Sequence, residues 1–457
     1  MATEAAAVPA TSNFKLYLGW GVGTLGASLL LNGFSFLVLY YLTTVLGLGA
    51  ALAGTLIGAS KIWDIVTNPL MGVLSDRSET RWGRRRPFLL LGAAVSGLAF
   101  AGLYSLGTTA FADSLPVITI LLIALGTGYT IFNVPYMAMP AEMLDDYHER
   151  TKLMSYRVFF IGIGTLVGGA AGQRIVELAG GGAEGYAFMG MLIGAGIFLF
   201  MAMAFFGTAK ARFTLRTKVR YPFMQQLKLG LANRPFSMLL GTKFTQLFGL
   251  ASNTATAVFV IRFVMEKENP GAWLLWFGVA SMATQILSIP LWLQVTKLFE
   301  KRRTYIFATV LFVLASLSWL LANPAEPLWF FLLRAAIKGL AAGGLLLMGQ
   351  SMLPDTIEYD YRSTGLRREG IYSGLYSIVE KAAFAISPAI LGVALQFLFG
   401  FDSKTAAQST EAVDGIRYAA AFLPALYFAL SLPFLFAYRL TEAQLRAMPD
   451  PAAARAG

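Results

Sequence analysis

The chain has 457 residues, of which 56% are hydrophobic and 13% are charged, and it carries a formal net charge of +11. Soluble proteins typically carry about 25% charged residues, so this composition predicts an all-α membrane protein that crosses the bilayer many times. The absence of cysteine excludes disulfides and thiolate chemistry, and a single histidine excludes a paired-histidine metal site. Basic residues cluster in short loops rather than on one continuous face, which argues against nucleic-acid binding.

Apolar segments long enough to cross a bilayer recur along the chain. A span needs roughly 20 apolar residues, and this criterion predicts about twelve transmembrane helices. The predicted spans are residues 16–45, 50–75, 87–108, 115–140, 153–180, 185–208, 235–264, 270–296, 303–322, 327–354, 370–399 and 416–438. The N-terminal residues lack the basic region of a signal peptide, so we expect the first span to remain in the mature protein.

Positive charge alternates between loops. The connections after the second, sixth and eighth spans carry several arginines and lysines, whereas the loops after the first, third and ninth spans are short and nearly neutral. By the positive-inside rule the basic loops are cytoplasmic. This predicts an integral protein of the plasma (cytoplasmic) membrane with both termini in the cytoplasm.

The longest connection falls near the middle of the chain. It predicts an N-terminal half over residues 1–208, a cytoplasmic linker over 209–234, a C-terminal half over 235–440 and a cytoplasmic tail over 441–457. The segments NPLMGVLSDR and IPLWLQVTKL end the second and eighth spans with a proline at a similar place. This weak repeat favours two related halves, an architecture in which many transporters hold their substrate at mid-depth.

One acid lies inside the second predicted span. Asp64 stands in the apolar segment KIWDIVTNPLMG. A charge at the centre of a spanning helix costs at least ~2.5–3.5 kcal/mol, so it requires a partner or a function. Lys61 precedes it by three residues on the same helix face, and a purely structural ion pair between the two is one explanation.

The loop that follows, GVLSDRSETRWGRRRP, resembles the signature between helices 2 and 3 of the major facilitator superfamily. The preceding WDIVTNPLMG resembles the helix 2 motif of the glycoside–pentoside–hexuronide:cation symporter family, which includes melibiose permease. Residues 133–160 and 355–381 resemble the family's helix 4–5 and helix 10–11 regions. The three motifs occur in the family's order along most of the chain. The resemblance implies the major facilitator fold, with about twelve helices in two halves.

The resemblance also implies a function. It points to a secondary active transporter that couples a sugar, glycoside or uronide to Na+ or H+ by alternating access, without enzymatic activity and without a cofactor. Two alternatives stay open, because one fold hosts several substrates: a lipid or amphiphile transporter, and an uncoupled facilitator. The expected partners are a small-molecule substrate and membrane lipid, with no nucleic acid, and we expect a monomer.

The family's cation site combines two acids and a polar residue of helix 2 with a threonine of helix 4. The matching residues here are Asp64, Thr67, Asn68 and Thr130. Oxygen ligands of this kind suit a hard cation, and we expect no metal site other than a Na+ site at Asp64. Asn68 stands where the family has its second acid, so Asp64 is the one carboxylate that remains.

The family's sugar site implies a second set of residues. The implied substrate-binding residues are Tyr129, Asn133, Met137, Arg157, Ser377 and Lys381. Asn133 and Met137 replace the family's acid and aromatic residue, and the first span has no acid, whereas the cations Arg157 and Lys381 are retained. This shift in charge predicts a substrate that is anionic, such as a uronide or another carboxylate-bearing glycoside, or one that is less rich in hydroxyl groups than melibiose. Glu380, next to Lys381, would offset part of the positive charge.

The remaining candidate residues that the sequence suggests are mostly charged. The loop motif predicts that conformational gating depends on Asp76, Arg77, Arg84 and Arg85. Arg334 and Lys338 lie four residues apart in the tenth span, and Lys243 lies in the seventh. Like charges at that spacing repel each other, so we expect them to face a cavity, carbonyl groups or acidic partners.

Overall fold

A computed structural model describes residues 10–78, 80–143, 147–209, 211, 223–364, 369–403, 405 and 408–449. No β-strand occurs in these residues. The α-helices are α1 Ala10–Tyr40, α2 Ala50–Arg77, α3 Arg86–Ser105, α4 Leu115–Ala138, α5 Pro140–Met143, α6 Tyr147–Thr165, α7 Ala171–Leu178, α8 Gly182–Gly207, α9 Phe223–Ala232, α10 Arg234–Phe259, α11 Pro270–Leu287, α12 Ile289–Leu317, α13 Leu328–Thr364, α14 Glu369–Val393, α15 Thr410–Ala437 and α16 Glu442–Ala447.

Several spans end in, or contain, a turn of different pitch. A π-helical turn, Leu166–Ala170, joins α6 to α7 and makes the fifth span continuous. Further π-helical turns extend α1, α10 and α14, and 3₁₀ turns extend α3 and α12. With these extensions, every predicted span except 270–296 lies on one helix or on a continuous helical run, apart from one or two residues at its ends.

Nine helical segments in the described ranges are long and apolar enough to cross a membrane, judged by length and composition only. The predicted spans 50–75, 270–296 and 370–399 are helical too, at α2, at α11 with the start of α12, and at α14. They do not belong to the nine. The all-helical structure is that of an integral, polytopic membrane protein, as predicted.

The eighth and ninth spans differ in detail from the prediction. The sequence predicts one span over 270–296, but α11 ends at Leu287 and α12 begins at Ile289 with Pro290 in its first turn. Proline fits that position because the first N–H groups of a helix have no partner within the helix. The expected loop at 297–302 is absorbed into α12, where Glu300 alone leaves the helical region with φ 63° and ψ 162°. The chain therefore changes direction at one residue instead of at a loop.

The structure divides into two compact units. One comprises Met1–Leu48 and Ala59–Lys218, and the other comprises Gly49–Gly58 and Val219–Gly457. In the predicted linker over 209–234, residues 210 and 212–222 lie outside the described ranges, and the part from Phe223 onwards includes α9. The boundaries of the two halves and of the linker remain a prediction.

Within the second unit, Arg334 of α13 has an acidic partner. Its Nη1 and Nη2 donate to the two carboxylate oxygens of Glu326 at 2.8 and 3.1 Å. Its Nε also donates to the Ser318 hydroxyl at 3.0 Å. Both charged side chains are 1% exposed. Bidentate geometry with further hydrogen bonds is the arrangement that compensates a buried ion pair for lost hydration.

Lys338, one turn later, is bound differently. Its ammonium donates to the Asn253 carboxamide oxygen and lies 5.3 Å from the centre of the Phe312 ring. Lys243 on α10 lies 5.9 Å from the centre of the Tyr376 ring. Arg334 thus has the acidic partner that the sequence analysis expected, and Lys338 has a neutral amide oxygen instead.

The Arg334–Glu326 pair gives a stability prediction. We expect Glu326→Gln to destabilise the protein by about 3–5 kcal/mol, because it leaves a buried guanidinium without a counter-charge. Thermal unfolding of the purified protein in detergent measures the effect. Asp414→Asn is the matched control, since the Arg417–Asp414 pair is 26% and 39% exposed, and it should cost less than about 1 kcal/mol. Equal shifts for the two variants would contradict the assignment.

Candidate functional site

Asp64 is buried on α2, with 5% of its surface exposed. Its Oδ2 lies 3.2 Å from the ammonium of Lys61. That ammonium also stands 4.4 Å from the centre of the Phe34 ring on α1. The ion pair that the spacing suggested therefore exists, and it compensates the charge of Asp64 from one side.

The second carboxylate oxygen of Asp64 faces α4. A Cβ atom added to Gly126 would overlap Oδ1, so only glycine at this position lets the carboxylate lie against the backbone of α4. Trp63, the residue before Asp64, donates from its Nε1 to Oγ1 of Thr127, the residue after Gly126, at 3.0 Å. This hydrogen bond joins the two helices. Oδ1 itself is buried and has no hydrogen-bond partner in the described part of the chain.

The next turn of α2 contributes two more polar side chains. The Asn68 amide nitrogen donates to the Asp64 carbonyl, and the Thr67 hydroxyl donates to the Trp63 carbonyl at 3.0 Å. Both bonds go to carbonyls of the preceding turn of α2, which continues as a helix through Pro69. Because the amide nitrogen is engaged, the Asn68 oxygen is left buried and without a partner among the described residues.

Thr130 lies one turn after Gly126 on α4 and is 1% exposed. Its hydroxyl makes no hydrogen bond to any described residue. Thr67 and Thr130 line the same cavity of about 510 Å³, together with Leu70, Met71, Val73, Leu74, Arg77, Thr127 and Ile131. Asp64 thus lies at the contact between α2 and α4, Thr67 and Thr130 line one cavity, and Asn68 lies one turn after Asp64 on α2. Their role as ligands remains a prediction.

The predicted substrate residues are only partly gathered. Tyr129, Asn133 and Met137 recur at every fourth position of α4, so they share one face of that helix. Tyr129 and Asn133 are half-buried, and Met137 is 37% exposed. On α6, Arg157 is half-buried, and its Nε has no partner in the described ranges. The side chains of Ser377 and Lys381 on α14 lie outside the described residues.

The predicted gating residues surround a tight turn. Gly83 has φ +91°, a conformation that favours glycine, between the end of α2 and the start of α3. Arg77 is exposed at the end of α2, Arg84 is half-buried, and Arg85 is 6% exposed just before α3. The side chain of Asp76 lies outside the described residues. A gating role for these four residues remains a prediction.

Two contacts that the sequence did not reveal hold the helices of the first unit. Arg86 donates from Nε and Nη2 to the Phe205 carbonyl at 3.2 and 2.9 Å, which ties the basic loop to the end of α8. Trp20 on α1 stacks on Tyr136 of α4 with ring centres 4.5 Å apart and planes at 6°. Arg86 was visible only as one arginine of a basic run, and an aromatic pair that joins distant segments leaves no local pattern.

These features define a helical membrane protein with ionic and polar groups inside its spans. Residues 19–442 match the family described as MFS/sugar transport protein, and the chain belongs to that family of the major facilitator superfamily. It is therefore a membrane transporter and not an enzyme, and the resemblance to the glycoside–pentoside–hexuronide group is confirmed.

Individual relatives match over nearly the whole chain. The putative glycoside/cation symporter YagG of Escherichia coli (strain K12) is 26% identical over 434 residues, which cover 94% of this chain and 93% of that protein. The glucuronide carrier protein homolog of the same organism is 24% identical over 452 residues, covering 95% and 94%. A crystal structure of a bacterial homologue of the human lysosomal transporter Spinster, inward-facing and occupied, superposes with a TM-score of 0.69 at 14% identity, covering 97% and 100%. That last likeness shows the fold alone.

The contact between Asp64 and Gly126 gives a second prediction. Gly126→Ala should cost about 1–3 kcal/mol, because the new methyl group overpacks the interface and displaces the carboxylate. Gly196→Ala is the control, since its Cβ would meet nothing closer than 3.5 Å. Adding Asp64→Ala should relieve the clash, so a double-mutant cycle of thermal stabilities should show coupling between positions 64 and 126. Additive effects would mean that the two residues do not touch.

Proposed function

We propose that the protein is a secondary active transporter that couples a sugar, glycoside or uronide to the movement of Na+ or H+. One observation carries the coupling: three oxygens, Asp64 Oδ1, Asn68 Oδ1 and Thr130 Oγ1, are buried without hydrogen-bond partners among the described residues. Buried polar atoms normally have partners, so three bare oxygens on two helices that touch at Asp64 and Gly126 are a reason to infer a ligand. Membership of a sugar transport family supports the substrate class.

The chemistry of these oxygens suits a small hard cation. A carboxylate oxygen, a carboxamide oxygen and a hydroxyl oxygen are the ligand types that such ions prefer. Thr67 would add a fourth, since its hydroxyl donates to a carbonyl and keeps its acceptor lone pairs. If H+ is the coupling ion, Asp64 is the only one of these groups that can take it up, because an amide does not protonate near neutral pH.

The proposed substrate is anionic. Asn133 and Met137 stand on the face of α4 where the family places an acid and an aromatic residue, and Arg157 keeps a guanidinium nitrogen without a described partner. A site that has lost acids and kept cations favours a negatively charged ligand. A relative named as a glucuronide carrier homologue supports a uronide.

The proposed mechanism is alternating access with thermodynamic linkage. Cation binding must raise the affinity for substrate, and substrate must raise the affinity for the cation by the same factor. The two halves would rock about a site at mid-depth, with Asp76, Arg77, Arg84 and Arg85 controlling the cytoplasmic closure. We place both termini in the cytoplasm and treat the transporter as a monomer.

One observation favours a second candidate. The cavity of about 510 Å³ beside Thr67 and Thr130 is walled largely by apolar side chains, among them Leu70 and Leu74, and Arg77 is part of its lining. An apolar cleft with a cation at its wall suits an amphiphile that has an acyl chain and an anionic head. An amphiphile transporter is therefore the alternative for the substrate class. An uncoupled facilitator is the alternative for the mechanism, and it is expected if the asparagine at position 68 in place of an acid abolishes cation coupling.

Asp64→Asn tests the coupling. In proteoliposomes we expect this variant to lose cation-driven accumulation of substrate and to keep exchange of internal for external substrate. The reason is that exchange needs the substrate site alone, whereas accumulation needs the cation gradient. The measurement is uptake of labelled substrate with and without an imposed Na+ or H+ gradient.

The matched control is Asp113→Asn, which removes an exposed acid from the loop before α4. It should transport as the unmodified protein does. Uphill accumulation by the Asp64→Asn protein would make Asp64 a purely structural residue and would remove the coupling proposal.

A ligand screen separates the two substrate classes. Glucuronides, neutral galactosides and lysolipids are added to the purified protein, in NaCl or choline chloride, and thermal unfolding is recorded. A ligand at about 100 times its dissociation constant should stabilise by about 2.7 kcal/mol, and we expect the glucuronides to do so. Leu74→Trp should narrow the cavity and leave that response unchanged. Stabilisation by lysolipid that this variant abolishes would favour the amphiphile transporter, and stabilisation by galactosides alone would remove the anionic substrate.

A further inference from the structure

We propose that Lys61 is an internal competitor of an alkali cation at Asp64: its ammonium holds the carboxylate when no ion is bound and must leave it when the ion binds. This inference rests on the cation site of the proposed function. Lys61 is not among the predicted site residues, and we assign to it the control of cation affinity.

The charge count carries the argument. Lys61 and Asp64 lie 3.2 Å apart and together are neutral. Asn68 and Thr130 add no charge, so a Na+ ion beside an intact pair would leave one positive charge uncompensated. Both side chains of the pair are largely buried, at 11% and 7% exposed, where water contributes little to compensation. An uncompensated buried charge is strongly unfavourable, so the ion and the Lys61 ammonium exclude each other at Asp64.

Two helices that contact the pair, α1 and α4, offer no acid that would change this count. Phe34 of α1 lies under the ammonium, and Gly126 of α4 lies against the carboxylate. Neither α1 nor α4 contains an aspartate or a glutamate anywhere in its sequence. Asp64 is thus the one negative charge that these helices bring to the contact.

The geometry lets the exchange happen without rebuilding the site. Lys61 occupies only Oδ2, so Oδ1, which has no partner among the described residues, is the oxygen that an arriving ion can bind first. The lysine stem is flexible, and its ammonium already lies 4.4 Å from the centre of the Phe34 ring. The face of an aromatic ring attracts a cation, so a cation–π contact with Phe34 would stabilise the ammonium after it has left the carboxylate.

Competition of this kind also creates linkage. An anionic substrate attracts the Lys61 ammonium once the ion has displaced it. Substrate binding would thereby weaken the competitor and raise cation affinity, and the reverse effect must be equally large. In this arrangement Lys61 transmits the coupling between the two ligands, whereas Asp64 binds only one of them.

The test measures cation binding without any sugar. The purified full-length protein is titrated with NaCl or LiCl against choline chloride at constant ionic strength, and thermal unfolding reports occupancy. For Lys61→Gln we expect the half-saturating cation concentration to fall by at least about tenfold, which corresponds to ~1.4 kcal/mol of lost competition. The control Lys301→Gln removes a lysine from a 2.6 Å pair with Asp355 in the second unit and should leave the titration unchanged.

A second variant tests the proposal independently, in case Lys61→Gln does not fold. Asn68→Asp adds the missing negative charge, so Lys61 and the ion can both be compensated, and cation affinity should again rise by about tenfold. An unchanged or weakened cation response in whichever of the two variants folds would overturn the proposal. This test is independent of the uptake assays of the proposed function. A protein that couples sugar to H+ would fail this test and would still accumulate substrate in the uptake assays.

Discussion

The constraint on which this structure depends is that an ionised group inside a membrane must be compensated where it stands. Two buried pairs meet it differently. Arg334 uses two nitrogens to engage both carboxylate oxygens of Glu326, and nothing on that carboxylate is left for a ligand. Lys61 engages one oxygen of Asp64 and leaves the other bare. The first pair is closed and suits a structural role, whereas the second is half open, which is the condition that an exchangeable ion requires.

The open half of the second pair results from backbone features. Gly126 removes the side chain that would otherwise fill the space beside Asp64, so the carboxylate reaches α4. The Asn68 amide nitrogen bonds to the Asp64 main-chain carbonyl, and its oxygen has no partner among the described residues. Thr130, in contrast to Thr67, does not donate to a carbonyl of its own helix among the described contacts. Local helix chemistry thus leaves these acceptors without donors among the described residues.

The sequence predicted the helical spans well because hydropathy reports directly on the bilayer. It failed at the boundary of the eighth and ninth spans, where hydropathy suggested a loop and one residue, Glu300, makes the turn. The pairing of Lys61 with Asp64 was predictable because positions three apart share a helix face. The pairing of Arg334 with Glu326 was left open, since the acid precedes the helix and its position depends on the fold. Gly126 could not be singled out, because a glycine among 46 carries no signal until its neighbour across the interface is known.

Replacement of the family's second acid by Asn68 has a consequence for the whole transport cycle. A site with two carboxylates and a lysine is neutral once a monovalent cation has bound. With Asp64 alone, Lys61 and the cation together exceed the available negative charge by one. A loaded site that moves through a low-dielectric barrier is favoured when its net charge is zero. In the proposed cycle the missing charge would come from the substrate, since a singly charged anion carried with one cation would restore neutrality. The proposed anionic substrate would then explain both the missing acid at the cation site and the missing acids at the sugar site.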